Sequence, residues 1–466
     1  MRGWRGGAAA LLVAAVLLPA PLLLKRRAAA PADEWRGADG EDVDRALAPR
    51  RRLGTSEELA PANRSLHPTG TECSEVQFEQ KAAINDVTVS DWDDYEWFQV
   101  RAADIDGDGT DDVVAVETAE VNELHWYETD ASTATFTDHK INEYANQGGG
   151  FGVSVVDLDD DDDVDILVSA AEKAGLAWYA NGGDGSSWTE GVIVAEKVFP
   201  DYSYSYSEPP EMFTVFAVDV DDDGHVDVVT ASRFEGAEEI LLYRNDGSQN
   251  FGNPVVVATA DTPSVYATDV DGDGKVDVIY ADADKRVSYF AQGASSSDWS
   301  SEINIDNGRK EAMWVVAADL DGDDDVDVLC ADPHKNRKEI VVYENVAGDG
   351  STWDDKKYAT GKVSSVELFD VDGDGDLDFV GAVEEEMVWW ERAGGALSDG
   401  EGDGKAFKKD GFTVDNDADE VITTITALDI DADGDLDVVA AETNKLTWYE
   451  NDCTIAPTPA PSATPT

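Results

Sequence analysis

The chain has 466 residues, enough for about three average domains or one large repeat assembly. Its 100 acidic and 34 basic residues give a formal net charge of −66, which repels phosphate backbones and anionic lipid, so no nucleic acid is expected as a partner. With 42% hydrophobic residues, the chain is too apolar for general disorder.

Residues 1–30 carry Arg2 and Arg5, an apolar run from Ala8 to Leu24, and then Lys25-Arg26-Arg27. Pro19 and Pro21 suit a signal peptide better than a continuous spanning helix. The other reading is an uncleaved signal anchor, and it is the one route by which this chain would touch a membrane. Either reading sends the rest outside the cell, secreted or on the outer face of the membrane. Residues 31–71 have no period and read as a flexible linker bearing the sequon Asn63-Arg64-Ser65. Residues 454–466 alternate Pro with Ala, Ser and Thr, an extended tail.

Residues 72–453 hold seven copies of Asp-x-Asp-x-Asp-x-x-x-Asp, starting at Asp104, Asp157, Asp219, Asp269, Asp319, Asp370 and Asp429. Four residues before each start stands a β-branched residue, from Val100 to Ile425, in an alternating strand pattern. A short apolar run follows the last Asp, and an aromatic strand comes about ten residues later, as in Trp126-Tyr127 and Trp178-Tyr179. Most copies add a fourth apolar stretch after a Gly/Ser/Asp turn. Four strands repeated seven times predict an all-β, seven-bladed β-propeller, with a linear β-solenoid as the competing arrangement. The seventh copy ends at its aromatic strand, Trp448-Tyr449-Glu450-Asn451, and Val76 to Ile84 looks like a fourth strand without a blade. The N-terminal strand is therefore expected to close the last blade. Cys73 and Cys453 bracket that junction and are expected to form a disulfide, while Cys330 reads as a small buried hydrophobe.

Carboxylates at positions 1, 3, 5 and 9, with the position 7 carbonyl, offer five oxygens around one turn, a set that suits Ca²⁺ better than Mg²⁺. No soft ligand is present for zinc or copper. The first site would use Asp104, Asp106, Asp108, Thr110 and Asp112; the second Asp157, Asp159, Asp161, Asp163 and Asp165; the third Asp219, Asp221, Asp223, His225 and Asp227. The fourth would use Asp269, Asp271, Asp273, Lys275 and Asp277, and the fifth Asp319, Asp321, Asp323, Asp325 and Asp327. Asp370, Asp372, Asp374, Asp376 and Asp378 make the sixth, and Asp429, Asp431, Asp433, Asp435 and Asp437 the seventh. Up to seven Ca²⁺ are expected. Asp162 and Asp324 replace glycine at position 6, so the second and fifth sites are expected to bind less tightly. An EF-hand is excluded, because position 12 is never Glu and the flanks are strands.

These units resemble FG-GAP/VCBS repeats, closest in Leu368 to Phe379 and in Trp448 to Asn451. The resemblance implies calcium between the first two strands of each blade of a seven-bladed propeller. It does not specify a ligand, since the fold serves adhesion proteins, lectins and some polysaccharide lyases.

The five histidines are scattered and pair with no nucleophile, so no enzyme is expected. The leading function is an extracellular calcium-binding module for adhesion, or lectin-like, with glycan or protein as partner. A calcium-dependent polysaccharide lyase and a purely structural scaffold are the alternatives. The Trp-Tyr pairs read as interblade core. Ligand-binding candidates are the residues that break the repeat: Tyr202, Tyr204 and Tyr206 in the longest interval, and Trp97, Phe98, Phe151, Phe213 and Trp314 just before inner strands. The segment Ser398 to Phe412, with three lysines, is a second irregular loop.

Overall fold

The structure, a computed structural model, describes residues 73–86, 99–117, 123–143, 150–170, 175–194, 214–234, 237–260, 264–282, 286–306, 314–332, 339–358, 363–383, 386–392, 407–409, 422–442 and 445–455. These residues form seven four-stranded antiparallel sheets, and no helix occurs among them. Blade 1 comprises Gln99–Ala103, Asp112–Glu117, Glu123–Asp130 and Thr135–Glu143. The inner strands of blades 2 to 6 are Gly150–Val156, Thr214–Val218, Ser264–Thr268, Trp314–Ala318 and Val363–Phe369. Blade 7 is built from Ile422–Leu428, Asp437–Glu442, Lys445–Ile455 and, as its outer strand, Cys73–Asp86 from the other end of the chain. Each inner strand touches the inner strand of the next blade, and that of blade 7 touches that of blade 1. The ring is closed, as a propeller requires and a linear solenoid forbids.

Radial packing explains the sequence pattern. A blade is covered on both faces, so its middle strands can be apolar at consecutive positions instead of alternating. In Asp327–Asp332, for example, Val328, Leu329, Cys330 and Ala331 are all buried. The apolar clusters lie across the joints between blades. One joins Val100, Val113 and Tyr127 of blade 1 to Leu428, Val439 and Trp448 of blade 7, so the closing joint is as apolar as the others. The aromatic pairs lie in these joints: Trp126, Trp178, Trp389, Trp390 and Trp448 are all buried. Gly185 of blade 2, at φ 63°, passes so close to Trp126 of blade 1 that an added Cβ would stand 2.5 Å from the ring.

The last strand runs on to Ile455, past the expected end of the propeller at residue 453. Part of the segment read as an irregular loop is the outer strand of blade 6, Phe407–Lys409, paired with Glu386–Arg392. The N-terminal segment, the linker and the tail beyond Ile455 lie outside the described residues.

Candidate metal centre

Each acidic loop links the inner strand of its blade to the second strand. Position 2 anchors it: Ile105, Leu158, Val220, Val270, Leu320, Val371 and Ile430 are all buried. Between this anchor and the second strand the backbone must turn twice through the left-handed region. Position 6 does so at Gly109, Asp162, Gly224, Gly274, Asp324, Gly375 and Gly434. Position 4 does so as well, at Gly107, Asp160, Asp222, Gly272, Gly322, Gly373 and Ala432, a demand the sequence pattern does not announce. The turns aim backbone N–H groups at the first and fifth carboxylates. Gly274 donates to Asp269 Oδ2 at 2.7 Å and Lys275 to Asp273 Oδ1 at 3.0 Å, and the other loops repeat the arrangement.

The ninth Asp behaves differently from the first, third and fifth. It is the first residue of the second strand and is buried in every blade. One of its oxygens accepts the position 2 N–H of its own loop, as Asp327 Oδ2 does from Leu320 at 3.1 Å. The other accepts an N–H from the end of the third strand, as Asp327 Oδ1 does from Asn345 at 2.8 Å. All seven copies make both bonds. The ninth Asp therefore fastens the loop to its blade, and any metal it binds must share oxygens already engaged.

The loops hold more negative charge than their own donors can balance. In blades 1 to 5, three carboxylate oxygens of each loop lie within 4.8 Å of one another. Burial, opposed by the backbone N–H bonds, pushes the ninth carboxylates up to about 7 in Asp112, Asp227 and Asp277 and about 8 in Asp165, Asp327 and Asp437. Asp378 is likewise raised well above the ordinary carboxylate range by burial. Burial first, and neighbouring Asp charge next, lift Asp159 and Asp321 to about 6. Oδ1 atoms of Asp104, Asp159, Asp221, Asp321, Asp429 and Asp431 are buried and accept no hydrogen bond. An oxygen that has lost water and gained no donor is costly unless a cation meets it. The donor set is all oxygen, so the residues fit a hard divalent cation of calcium type.

Two position 7 side chains bond acidic-loop carboxylates themselves. The His225 ring bonds Asp160 of the preceding blade's loop, and Lys275 bonds Asp273. Sequence reasoning missed the residue at the end of the third strand: Asn181, Asn245, Gln292, Asn345 and Asn451, each buried and bonded across a blade joint. The signal was present as an amide two residues after the aromatic, at the end of Trp-Tyr-x-Asn.

Of the aromatic ligand candidates, Trp97, Phe98, Tyr202, Tyr204, Tyr206 and Phe213 lie outside the described residues, and Phe151 is placed only as a strand residue. Trp314 is a correction to the channel-mouth expectation. It is 6% exposed, and its indole N–H donates to the Val366 carbonyl of the next blade at 3.0 Å. Its ring is used in packing, not offered to a ligand. At the register three residues before each loop, Arg101 of blade 1 lies 3.7 Å from Glu367 of blade 6, and Phe216 packs on Tyr266 with centroids 4.7 Å apart. Cys330 is buried in blade 5, as expected.

No curated protein matches the chain. Among solved structures, an Agrocybe aegerita lectin that recognises non-reducing terminal N-acetylglucosamine is 18% identical, with 75% of this chain and 86% of that chain covered and a TM-score of 0.48. BBS1N, solved in complex with ARL6DN, is 10% identical over 84% of this chain and 99% of its own, with a TM-score of 0.48. At these values neither bears on the ligand. The FG-GAP-like repeat family matches residues 104–168, 219–280, 269–330 and 319–381, ranges that include the acidic loops of blades 1 to 6. With these matches on acidic loops that recur in all seven blades, the propeller carries FG-GAP-like repeats.

Proposed function

We propose that this propeller is an extracellular, calcium-binding recognition module without catalytic activity, presenting its surface to a glycan or protein. The observation that carries the calcium reading is the set of buried Oδ1 atoms, in Asp104, Asp159, Asp221, Asp321, Asp429 and Asp431, that accept no hydrogen bond. They recur at position 1 or 3 of the loop in five blades, which an incidental acidic surface would not produce. Ca²⁺ would be held by the carboxylates at positions 1, 3 and 5 and the position 7 carbonyl, with the ninth Asp sharing an oxygen. The ion would supply charge neutralisation and rigidity to the loops. The recognition reading rests on the FG-GAP-like repeats and on the propeller's broad, closed surface.

The test is a glycan array probed with the secreted chain in millimolar calcium and again in EGTA. Binding to a defined set of glycans, lost in EGTA and without release of cleaved product, supports a glycan-binding module. Cleaved product contradicts the non-catalytic reading. Silence on the array moves the reading to its protein arm, tested by crosslinking on intact cells with and without calcium; silence there too contradicts a recognition role.

A further inference from the structure

The acidic loops are not independent. Asn345, in blade 5, is 1% exposed and makes three kinds of bond. Its backbone N–H holds Asp327 of its own loop at 2.8 Å. Its side-chain amide donates at 3.0 Å to the carbonyl of Val270, position 2 in the loop of blade 4. Its Oδ1 accepts the Gly350 N–H at 3.1 Å, which fixes the rotamer. The same bridge recurs from Asn181 to Ile105 at 2.6 Å, Asn245 to Leu158 at 2.9 Å, Gln292 to Val220 at 2.8 Å and Asn451 to Val371 at 3.0 Å. The bridged carbonyl lies between positions 1 and 3 of one loop, and the bridging residue is tied to position 9 of the next.

We propose that Asn181, Asn245, Gln292, Asn345 and Asn451 are positioning residues that couple neighbouring calcium loops, so that ordering one loop around its ion raises the affinity of the next. This inference rests on the calcium reading above. A loop that closes moves its position 2 carbonyl, and through the amide that movement reaches the neighbour's ninth Asp. Two joints lack the bridge. Blade 1 has Thr129, whose backbone still bonds Asp112 but whose buried hydroxyl has no partner. Blade 6 has Arg392, whose guanidinium bonds Asp376 of its own loop at 3.0 Å. The loops of blades 1 to 5 therefore form one coupled run, and those of blades 6 and 7 a second.

The experiment counts bound calcium on the full chain by native mass spectrometry at the free calcium that half-fills the wild type. Asp273→Ala removes a ligand from the blade 4 loop. In the wild-type background it should cost clearly more than the roughly half an ion that one site holds at this concentration, because the affinities of blades 3 and 5 fall about fivefold or more with it. In an Asn345→Ala background, adding Asp273→Ala should cost less, because only blade 3, still bridged through Gln292, responds with it. Asn345→Gln, the residue type blade 4 already uses at this place, should restore the larger loss. A loss of only about half an ion in the wild-type background, equal losses in both backgrounds, or no rescue by Gln would overturn the coupling while leaving calcium binding intact. A wild type that takes up no calcium would overturn the calcium reading itself, and the coupling with it.

Discussion

Val76 stands directly opposite Cys453 on the ladder that ties the first strand to the last. Cys73 is placed opposite Ile455 on the same ladder, two residues beyond Cys453, so a bond between the two cysteines requires these strand ends to shift. Peptide mapping without reduction should find Cys73 linked to Cys453. A bond closing so long a loop stabilises at the upper end of about 2–5 kcal/mol on the chain-entropy view. Alkylation of both cysteines in the unreduced, secreted protein would contradict the pairing.

Asp327 and Asp323 belong to one loop but should fail differently. Asp327 holds two backbone N–H groups in the interior, so Asp327→Ala should lose roughly 2–4 kcal/mol even in EGTA, since each orphaned donor costs about 1–3 kcal/mol. Asp323 accepts only exposed N–H groups within its loop, so Asp323→Asn should change calcium-free stability by less than about 1 kcal/mol. Its effect should appear only when calcium is present. Denaturant melts of both variants, with and without EGTA, check the asymmetry, and equal calcium-free losses would refute it.

Ala432 occupies position 4 of the seventh loop at φ 58° and is exposed. A side chain there costs about 1–2 kcal/mol that glycine avoids, and no packing is lost on removing the methyl group. Ala432→Gly should therefore stabilise the protein by about 1 kcal/mol, against the usual direction of glycine substitutions. A fall in melting temperature would contradict this.

The ninth carboxylates give the metal-free protein a definite pH dependence. Their folded values of about 7 to 8 lie above the ordinary 3.8, so the folded state holds protons that the unfolded chain releases. Their contribution is complete below about pH 4 and is lost as pH rises through 7 to 8. In EGTA the melting temperature should fall from pH 5 to pH 8. In saturating calcium, which requires the ionised carboxylates, that fall should disappear or reverse. A calcium-free melting temperature that rises over this range would count against it.

Much of this molecule is legible in its sequence because the informative residues are neighbours in the chain. Asp104 to Asp112 declare a loop by themselves, and seven such loops set the number of blades. Closure was legible because the strand missing from the last repeat stood before the first. The amide bridges were not legible, because Asn345 and Val270 belong to different repeats and only the ring brings them together. The left-handed turn at position 4 was hidden because Gly107, Asp160 and Ala432 all occupy it, so no one residue type marks it. Outer strands are the weakest signal. They are only partly covered, and a segment such as Trp353–Tyr358 needs no apolar alternation to pair.

Calcium as the element that holds the acidic loops together is tested most directly by one thermal unfolding series on the secreted chain. It compares EGTA, excess Ca²⁺ and excess Mg²⁺ at constant ionic strength and pH 7.5. A ligand that binds only the folded state stabilises it by about 2.7 kcal/mol for a site at a hundred times its Kd, and several loops act together here. The melting temperature should fall by well over ten degrees in EGTA, recover fully with Ca²⁺ and recover much less with Mg²⁺. Superimposable curves in EGTA and calcium would contradict the calcium sites outright.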